Sequence, residues 1–253
     1  MILDKFSLKD KVAVVTGANT GLGQGMCVAL AQAGAKVAGV ARRSCQETAE
    51  LIKENNGEFL EIIADLSDTE VVPDILKSAV DKFGKVDILV NNAGIILRED
   101  AVNVTEEDWS KVINLNQTMV FLLSQAFARQ FIAQGTGGKI VNVASMLSFQ
   151  GGIRVPAYTA SKSAILGLTR ALANEWAKDN INVNAIAPGY MATNNTTQLR
   201  NDTDRSNEIL GRIPAGRWGT PEDMMGAVVF LCSDAANYVN GFTLAVDGGW
   251  LAR

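Results

Sequence analysis

Histidine is absent from the 253 residues of this sequence, and that one absence removes several chemistries. A Ser-His-Asp hydrolase, a histidine proton shuttle and most zinc sites all need an imidazole. Cysteine is nearly as scarce. Cys27, Cys45 and Cys232 are scattered, with no C-x-x-C pair and an odd count, so no disulfide framework is indicated. No apolar run approaches the length of a membrane span, and Met1 to Lys11 carries charges where a secretory leader is greasy. Excess positive charge is missing too: the formal net charge is -4 with no basic cluster, which argues against nucleic acid as a partner. A soluble, cytoplasmic chain with no membrane partner and no metal site is expected.

Apolar residues make up 47% of the chain, enough for the core of one large α/β domain spanning 1–253. Short β-branched runs alternate with helical stretches throughout. The strand candidates are Val12–Thr16, Lys36–Ala41, Glu58–Ala64, Val86–Val90, Gly138–Ala144, Ile181–Ala187 and Phe242–Val246. Helices are expected over Gly21–Ala33, Cys45–Asn55, Val71–Phe83, Glu106–Ala133, Ala157–Lys178 and Pro221–Cys232. Strand–helix alternation with near-continuous apolar strands implies a parallel sheet covered on both faces. The rhythm breaks over Gly189–Gly219, a long stretch without a strand that follows the sixth one. Such a stretch on the carboxyl edge of an open α/β sheet reads as a lid over a ligand.

The first strand runs into Thr16-Gly17-Ala18-Asn19-Thr20-Gly21-Leu22-Gly23 and then a helix. Glycines there let backbone N–H groups approach a pyrophosphate, and the helix N-terminus adds a favourable dipole. A dinucleotide cradle built from Gly17, Asn19, Thr20, Gly21, Leu22 and Gly23 follows. Asp65, with Leu66 beside it just past strand three, is placed to accept from an adenine amino group. Asn91-Asn92-Ala93-Gly94 ends strand four with small residues and amides facing the crevice; Asn91, Ala93 and Gly94 are its candidate cofactor contacts. Pro188-Gly189 ends strand six where a nicotinamide would lie, with Met191 and Thr193 next along the chain. At the end of strand two stand Ala41-Arg42-Arg43. No acid is present to bind a ribose 2′-hydroxyl, and Arg42 either pairs with a 2′-phosphate or is a solvated residue at a helix entrance.

Tyr158 and Lys162 lie one helical turn apart in Tyr158-Thr159-Ala160-Ser161-Lys162, downstream of Ser145, which ends an apolar stretch. A cation beside a phenol is expected to lower its pKa from about 10 toward the neutral range that a general acid–base needs.

This constellation resembles the short-chain dehydrogenase/reductase family over essentially the whole chain. The glycine motif, Asn91-Asn92-Ala93-Gly94, Asn116, Ser145, Tyr158 with Lys162, Pro188-Gly189 and Asp247-Gly248-Gly249 fall in the family's order and spacing. The resemblance implies a Rossmann-type, doubly wound sheet of seven parallel strands in the order 3-2-1-4-5-6-7. It implies a catalytic tetrad of Asn116, Ser145, Tyr158 and Lys162, in which Asn116 interrupts its helix to position a water beside Lys162. It also implies a homotetramer built on the helices near 106–133 and 157–178. Ser145–Pro156, Gly189–Thr196, Arg212–Gly219 and Asp247–Arg253 are similar to the family's ketouronate reductases, which act in pectin and uronate breakdown. That likeness implies a keto sugar acid as substrate and favours NAD(H). NADP(H) stays open because of Arg42, although Thr20 stands where many NADP-preferring members carry a basic residue.

A sugar acid needs a partner for its carboxylate. Arg154, one turn before Tyr158, is the first candidate, Arg98 the second, and Arg253 a third that would reach in from a neighbouring subunit. Three rivals remain: a gluconate 5-dehydrogenase, a 3-oxoacyl carrier-protein reductase, and a non-catalytic dinucleotide-sensing scaffold. The carrier-protein reductase calls for a basic docking rim, whereas the lid here mixes acids and amides with arginines. The scaffold reading sits badly with an intact Ser145, Tyr158 and Lys162.

Overall fold

Each β-branched run becomes a strand in the computed structural model, which describes residues 1–253. The strands are β1 (Val12–Thr16), β2 (Lys36–Ala41), β3 (Phe59–Ile63), β4 (Ile88–Asn91), β5 (Gly138–Val143), β6 (Ile181–Pro188) and β7 (Thr243–Val246). They form one sheet in the order β3-β2-β1-β4-β5-β6-β7, and every neighbouring pair is parallel. The expected topology is therefore present.

Burial explains why these runs lack polar alternation. Within β1, Ala13 and Val15 join one apolar cluster while Val12 and Val14 join the other. Successive side chains point to opposite faces, so a strand covered on both sides is apolar throughout. One face is covered by α1 (Gly21–Gln32), α2 (Gln46–Glu54) and α9 (Pro221–Cys232). The other is covered by α3 (Val72–Phe83), α5 (Met119–Gln134) and α6 (Pro156–Trp176), with α4 (Glu106–Ile113) packed against α6. Phe127 and Phe131 of α5 are fully buried and meet edge to face, their ring centres 6.1 Å apart. Truncating either to alanine is expected to cost about 3–5 kcal/mol.

The long helix over 106–133 is interrupted at Asn116, as the family resemblance implies, by a π-helical segment at Asn114–Thr118 that separates α4 from α5. Two differences from the expected elements have physical reasons. The lid is not irregular: it carries α7 (Thr197–Asn201) and α8 (Thr203–Arg212), the latter started by the Asp202 carboxylate, which accepts from the Arg205 amide at 3.0 Å. β4 runs later than the expected Val86–Val90, reaching Asn91, because its pairing with β5 extends to Asn91 opposite Asn142. The order of strands reverses between β1 and β4, which places a crevice at their carboxyl ends.

Candidate active site

The turn from β1 into α1 is held open by left-handed backbone geometry that favours glycine. Gly17 and Gly21 have φ of 68° and 58°. A Cβ on Gly23 would overlap the Gly17 carbonyl oxygen, so the turn and the helix start are in direct contact. Asn92 locks the same turn from β4: its Nδ2 donates to Thr16 O at 2.8 Å and Gly17 O at 3.3 Å. In return Thr16 Oγ1 accepts the amides of Asn92 and Ala93, both at 3.0 Å. The first α1 amide to find a carbonyl is that of Gln24, on Thr20 O at 3.4 Å, and Thr20 gives no side-chain cap. The Gly21, Leu22 and Gly23 amides therefore point their hydrogens out of the helix start, and a pyrophosphate fits that donor set.

From this turn a cleft of about 370 Å³ runs along the carboxyl edge of the sheet. It brings together Gly17, Asn19, Thr20, Gly21, Leu22, Gly23, Ala93, Gly94, Pro188, Gly189, Met191 and Thr193 with Ser145, Tyr158, Lys162 and Arg98. A larger cavity of about 690 Å³ lies at the opposite edge, by the starts of β4, β5 and β6. Its glycines, Gly137 and Gly138, lead into a strand and not into a helix start, and its Lys139 is spent on Asn182 and Asn237, which accept at 2.7 and 2.6 Å.

Some expected cofactor residues lie off the cleft. Asn91 is buried in the core: its Nδ2 donates to Ser124 Oγ at 3.0 Å and Asn142 Oδ1 at 2.9 Å, tying β4 to α5 and β5. Its neighbour Asn92 faces the glycine turn instead. Asp65 accepts from the amide and hydroxyl of Ser67 at 3.0 and 2.8 Å, and these bonds, with Arg42 nearby, hold its carboxyl below the usual range. Arg42 is exposed and Leu66 is buried, both beyond the cleft lining.

Ser145 follows β5, and Tyr158 and Lys162 come from the first turns of α6. Ser148 fixes the two segments together: its hydroxyl accepts the Ser145 amide at 3.2 Å and donates to Lys162 O at 2.6 Å. Lys162 is 4% exposed, with Nζ giving a hydrogen bond to Val143 O at 2.6 Å and lying 5.8 Å from the Tyr158 ring centre. Burial brings the Lys162 ammonium down from 10.5 to about 8. The expected lowering of the Tyr158 pKa is not found. Burial pushes the phenol up, and the Ser145 hydroxyl and the Arg98 charge pull it back without reversing the shift. Desolvation is the larger effect, and the Lys162 ammonium gives its hydrogen bond to the Val143 carbonyl rather than to the phenol. At neutral pH Tyr158 therefore carries its proton.

Asn116 lies within the π-helical segment, fully buried. Its Nδ2 donates to Ile95 O at 2.9 Å and Ser161 Oγ at 3.2 Å, and its Oδ1 accepts the Ile95 amide at 2.9 Å. Both N–H groups are used, so the side chain is a clamp on the strand-four loop and on α6. With the side chain so engaged, a water positioned by Asn116 beside Lys162 would have to rest on its backbone. The clamp presses close, since a Cβ on Gly94 would stand 3.0 Å from Asn116 Oδ1 and 3.8 Å from Lys162 Nζ.

The arginine expectations are reordered. Arg154 adopts a left-handed φ of 64° and turns to the acids of the 99–100 loop, with Nε 3.0 Å from Asp100 and Nη2 4.0 Å from Glu99. It does not line the cleft. Arg98 does, and touches the lid through a 3.5 Å contact from Nη2 to Asn195 O. Arg253 is folded back onto its own chain, donating to Gly211 O and Arg212 O at 3.0 and 2.8 Å. Reasoning from sequence had given no role to Tyr190, which lines the cleft and meets Trp218 and Trp250 edge on, with ring centres 5.5 and 4.8 Å away. Its signal in the sequence is its place within the Gly189–Thr196 segment; Trp218 and Trp250 lie far along the chain.

Comparison with known proteins agrees with this geometry. A family model described as enoyl-(acyl carrier protein) reductase matches residues 17–251. The chain is 64% identical to the 2-dehydro-3-deoxy-D-gluconate 5-dehydrogenase of Dickeya dadantii (strain 3937), over 100% of each chain. It is 53% identical to the Bacillus subtilis (strain 168) protein of the same name, covering 99% of this chain and 98% of that one. Among solved structures, a gluconate 5-dehydrogenase from Burkholderia cenocepacia J2315 in complex with NADP and tartrate superposes with a TM-score of 0.94. It is 34% identical and covered in full by the match, as is this chain.

Proposed function

The chain belongs to the short-chain dehydrogenase/reductase family, an oxidoreductase family using nicotinamide dinucleotides, and from that premise we propose that its substrate is a keto sugar acid. The proposed reaction is reduction of 2,5-diketo-3-deoxygluconate to 2-keto-3-deoxygluconate, reversibly, in pectin and uronate catabolism. One observation carries the reading to an acid. The cleft is lined by two cationic side chains, Arg98 and Lys162, and by no carboxylate. A bound sugar acid meets no like charge there, and its carboxylate has a guanidinium to pair with. The names of the Dickeya and Bacillus relatives support the same substrate.

In this reading the bound dinucleotide supplies the hydride. Ser145 Oγ and the Tyr158 hydroxyl donate to the keto oxygen and stabilise the charge that develops on it. Tyr158 then passes its proton to that oxygen, which its raised pKa equips it to hold until then. The buried Lys162 ammonium is the cation against which the remaining phenolate forms. Asn116 keeps the Ile95 loop and α6 in register behind both.

NADH is the proposed reductant. NADPH is the alternative, favoured by the exposed Arg42, the lack of an acid at the end of β2 and the NADP in the Burkholderia structure. The whole chain would act as one catalytic unit in the cytoplasm; no helix is long and apolar enough to cross a membrane. A homotetramer is supported by Trp109 of α4 and Phe121 and Ile132 of α5, which are large, apolar and exposed.

A gluconate 5-dehydrogenase is the second reading, favoured by the Burkholderia neighbour. The test is loss of nicotinamide absorbance with NADH or NADPH against a panel of ketouronates, 5-ketogluconate, neutral ketones and a 3-oxoacyl thioester. The proposal expects the largest kcat/KM on 2,5-diketo-3-deoxygluconate. A preference for 5-ketogluconate establishes the second reading, and a preference for the thioester or a neutral ketone removes both.

A further inference from the structure

The lid is seated by a short segment that follows β7. Asp247 starts that segment, its two carboxylate oxygens accepting the amides of Gly249 at 2.8 Å and Leu251 at 2.9 Å. This fixes a 3₁₀ turn at Trp250–Ala252. Trp250, 4% exposed, forms one apolar cluster with Ile209 and Ile213 at the end of α8 and with Met146, the residue after Ser145. The Arg212 guanidinium lies 4.1 Å from the centre of the Trp250 ring and reaches Gln150 Oε1 at 3.3 Å. Arg253 completes the arrangement. Its Nε donates to Arg212 O at 3.2 Å, and its Nη2 donates to Arg212 O at 2.8 Å and Gly211 O at 3.0 Å.

The last carbonyls of a helix have no partner within it and carry partial negative charge. A guanidinium placed on two of them satisfies both needs at once. The other end of the lid, Thr193 to Leu199, walls the cleft. The position of α8 therefore decides where that wall stands relative to Ser145.

We propose that Arg253 is a positioning residue for substrate capture: it latches the carboxyl end of α8 to the Trp250 turn, and so holds the lid where Thr193–Leu199 close over the keto acid. Arg253 lies outside the cleft and acts on the substrate only through α8. The kinetic half of this inference rests on the ketoreductase reading; the structural half does not. A lid seated only part of the time lowers apparent affinity by the seated fraction.

The experiment compares wild type with Arg253→Ala and Arg253→Lys in two readouts. The first is hydrogen exchange of the α8 amides, with those of β5 as the internal standard. The second is KM against kcat for keto-acid reduction. Arg253→Ala should exchange at α8 about tenfold faster, with β5 unchanged. Its KM should rise about fivefold, with kcat changed less than about twofold. Arg253→Lys keeps a cation on the helix end and should recover most of both effects. Unchanged exchange at α8 overturns the latch. Faster exchange at α8 with an unchanged KM overturns its role in capture, and equally faster exchange at β5 shows general loosening, which also overturns it. If wild type reduces no keto acid, the functional reading fails by itself, and the exchange readout still decides whether the latch exists.

Discussion

Lys162 keeps its ammonium 5.8 Å from the centre of the Tyr158 ring while giving its hydrogen bond to the Val143 carbonyl. A cation so buried costs stability while it is charged. Between its folded pKa of about 8 and the usual 10.5, the unfolded chain holds a proton that the folded chain has released. Stability therefore rises with pH across that window and is lowest below it, where both states are charged. The span corresponds to about 3 kcal/mol. Tyr158 works in the opposite sense only above its ordinary value of 10, because its folded pKa is raised. Urea unfolding of wild type and Lys162→Met from pH 7 to 10 should show wild type gaining on the variant as pH rises through 8. Parallel curves would remove the buried charge from the account. Reduction should fall over the same rise, since the cation that receives the phenolate is lost.

Asn116 offers a separate test of the clamp. Replacing it with alanine strands the amide and carbonyl of Ile95 in a half-buried loop. A loss of about 2–4 kcal/mol in urea unfolding is expected, with turnover falling as well. Asn116→Asp keeps the acceptor for the Ile95 amide but places an oxygen against Ile95 O and Ser161 Oγ, and should be no better than alanine. A stable Asn116→Ala variant would show that the π-helical segment holds itself.

Gly23 tests the cradle. The methyl of Gly23→Ala would overlap the Gly17 carbonyl and crowd the Asn92 amide. Dinucleotide binding, followed by fluorescence of the reduced nicotinamide, should weaken by at least about a hundredfold, while far-UV circular dichroism keeps its native form. Wild-type affinity in this variant would place the pyrophosphate elsewhere.

The two candidate arginines separate cleanly. Arg98→Ala should raise KM for a keto acid about tenfold or more and leave a neutral ketone almost unaffected. Arg154→Ala should change neither, because its guanidinium is engaged by Asp100 and Glu99 away from the cleft. That exposed pair is worth at most about 1 kcal/mol, so stability should scarcely move. Acid-specific loss at Arg154 together with none at Arg98 would reverse the assignment.

The fold and most of the cleft were legible in the sequence because both depend on local patterns. Apolar strand runs, glycines at the turn after β1 and the Tyr158–Lys162 spacing each announce their geometry within a few residues. What was misread depends on distant partners. Tyr158 is not acidified because burial by elements distant in the chain outweighs the charges and donors around it, and Lys162 gives its hydrogen bond to Val143. Arg154 was preferred to Arg98 since nothing local says that Asp100 will neutralise it. Asn91 was given the cofactor contact and Asn92 none, although strand alternation sends neighbouring side chains to opposite faces; Asn91 joins the core and Asn92 holds the glycine turn.

The central claim is that the Tyr158 hydroxyl delivers the proton to a keto group reduced in this cleft. Its most direct measurement is turnover of 2,5-diketo-3-deoxygluconate by wild type and Tyr158→Phe, with dinucleotide binding measured on both. The account predicts a loss of about a thousandfold or more in the variant, with dinucleotide affinity within about twofold of wild type. A phenylalanine variant that retains more than about a tenth of wild-type turnover would contradict it.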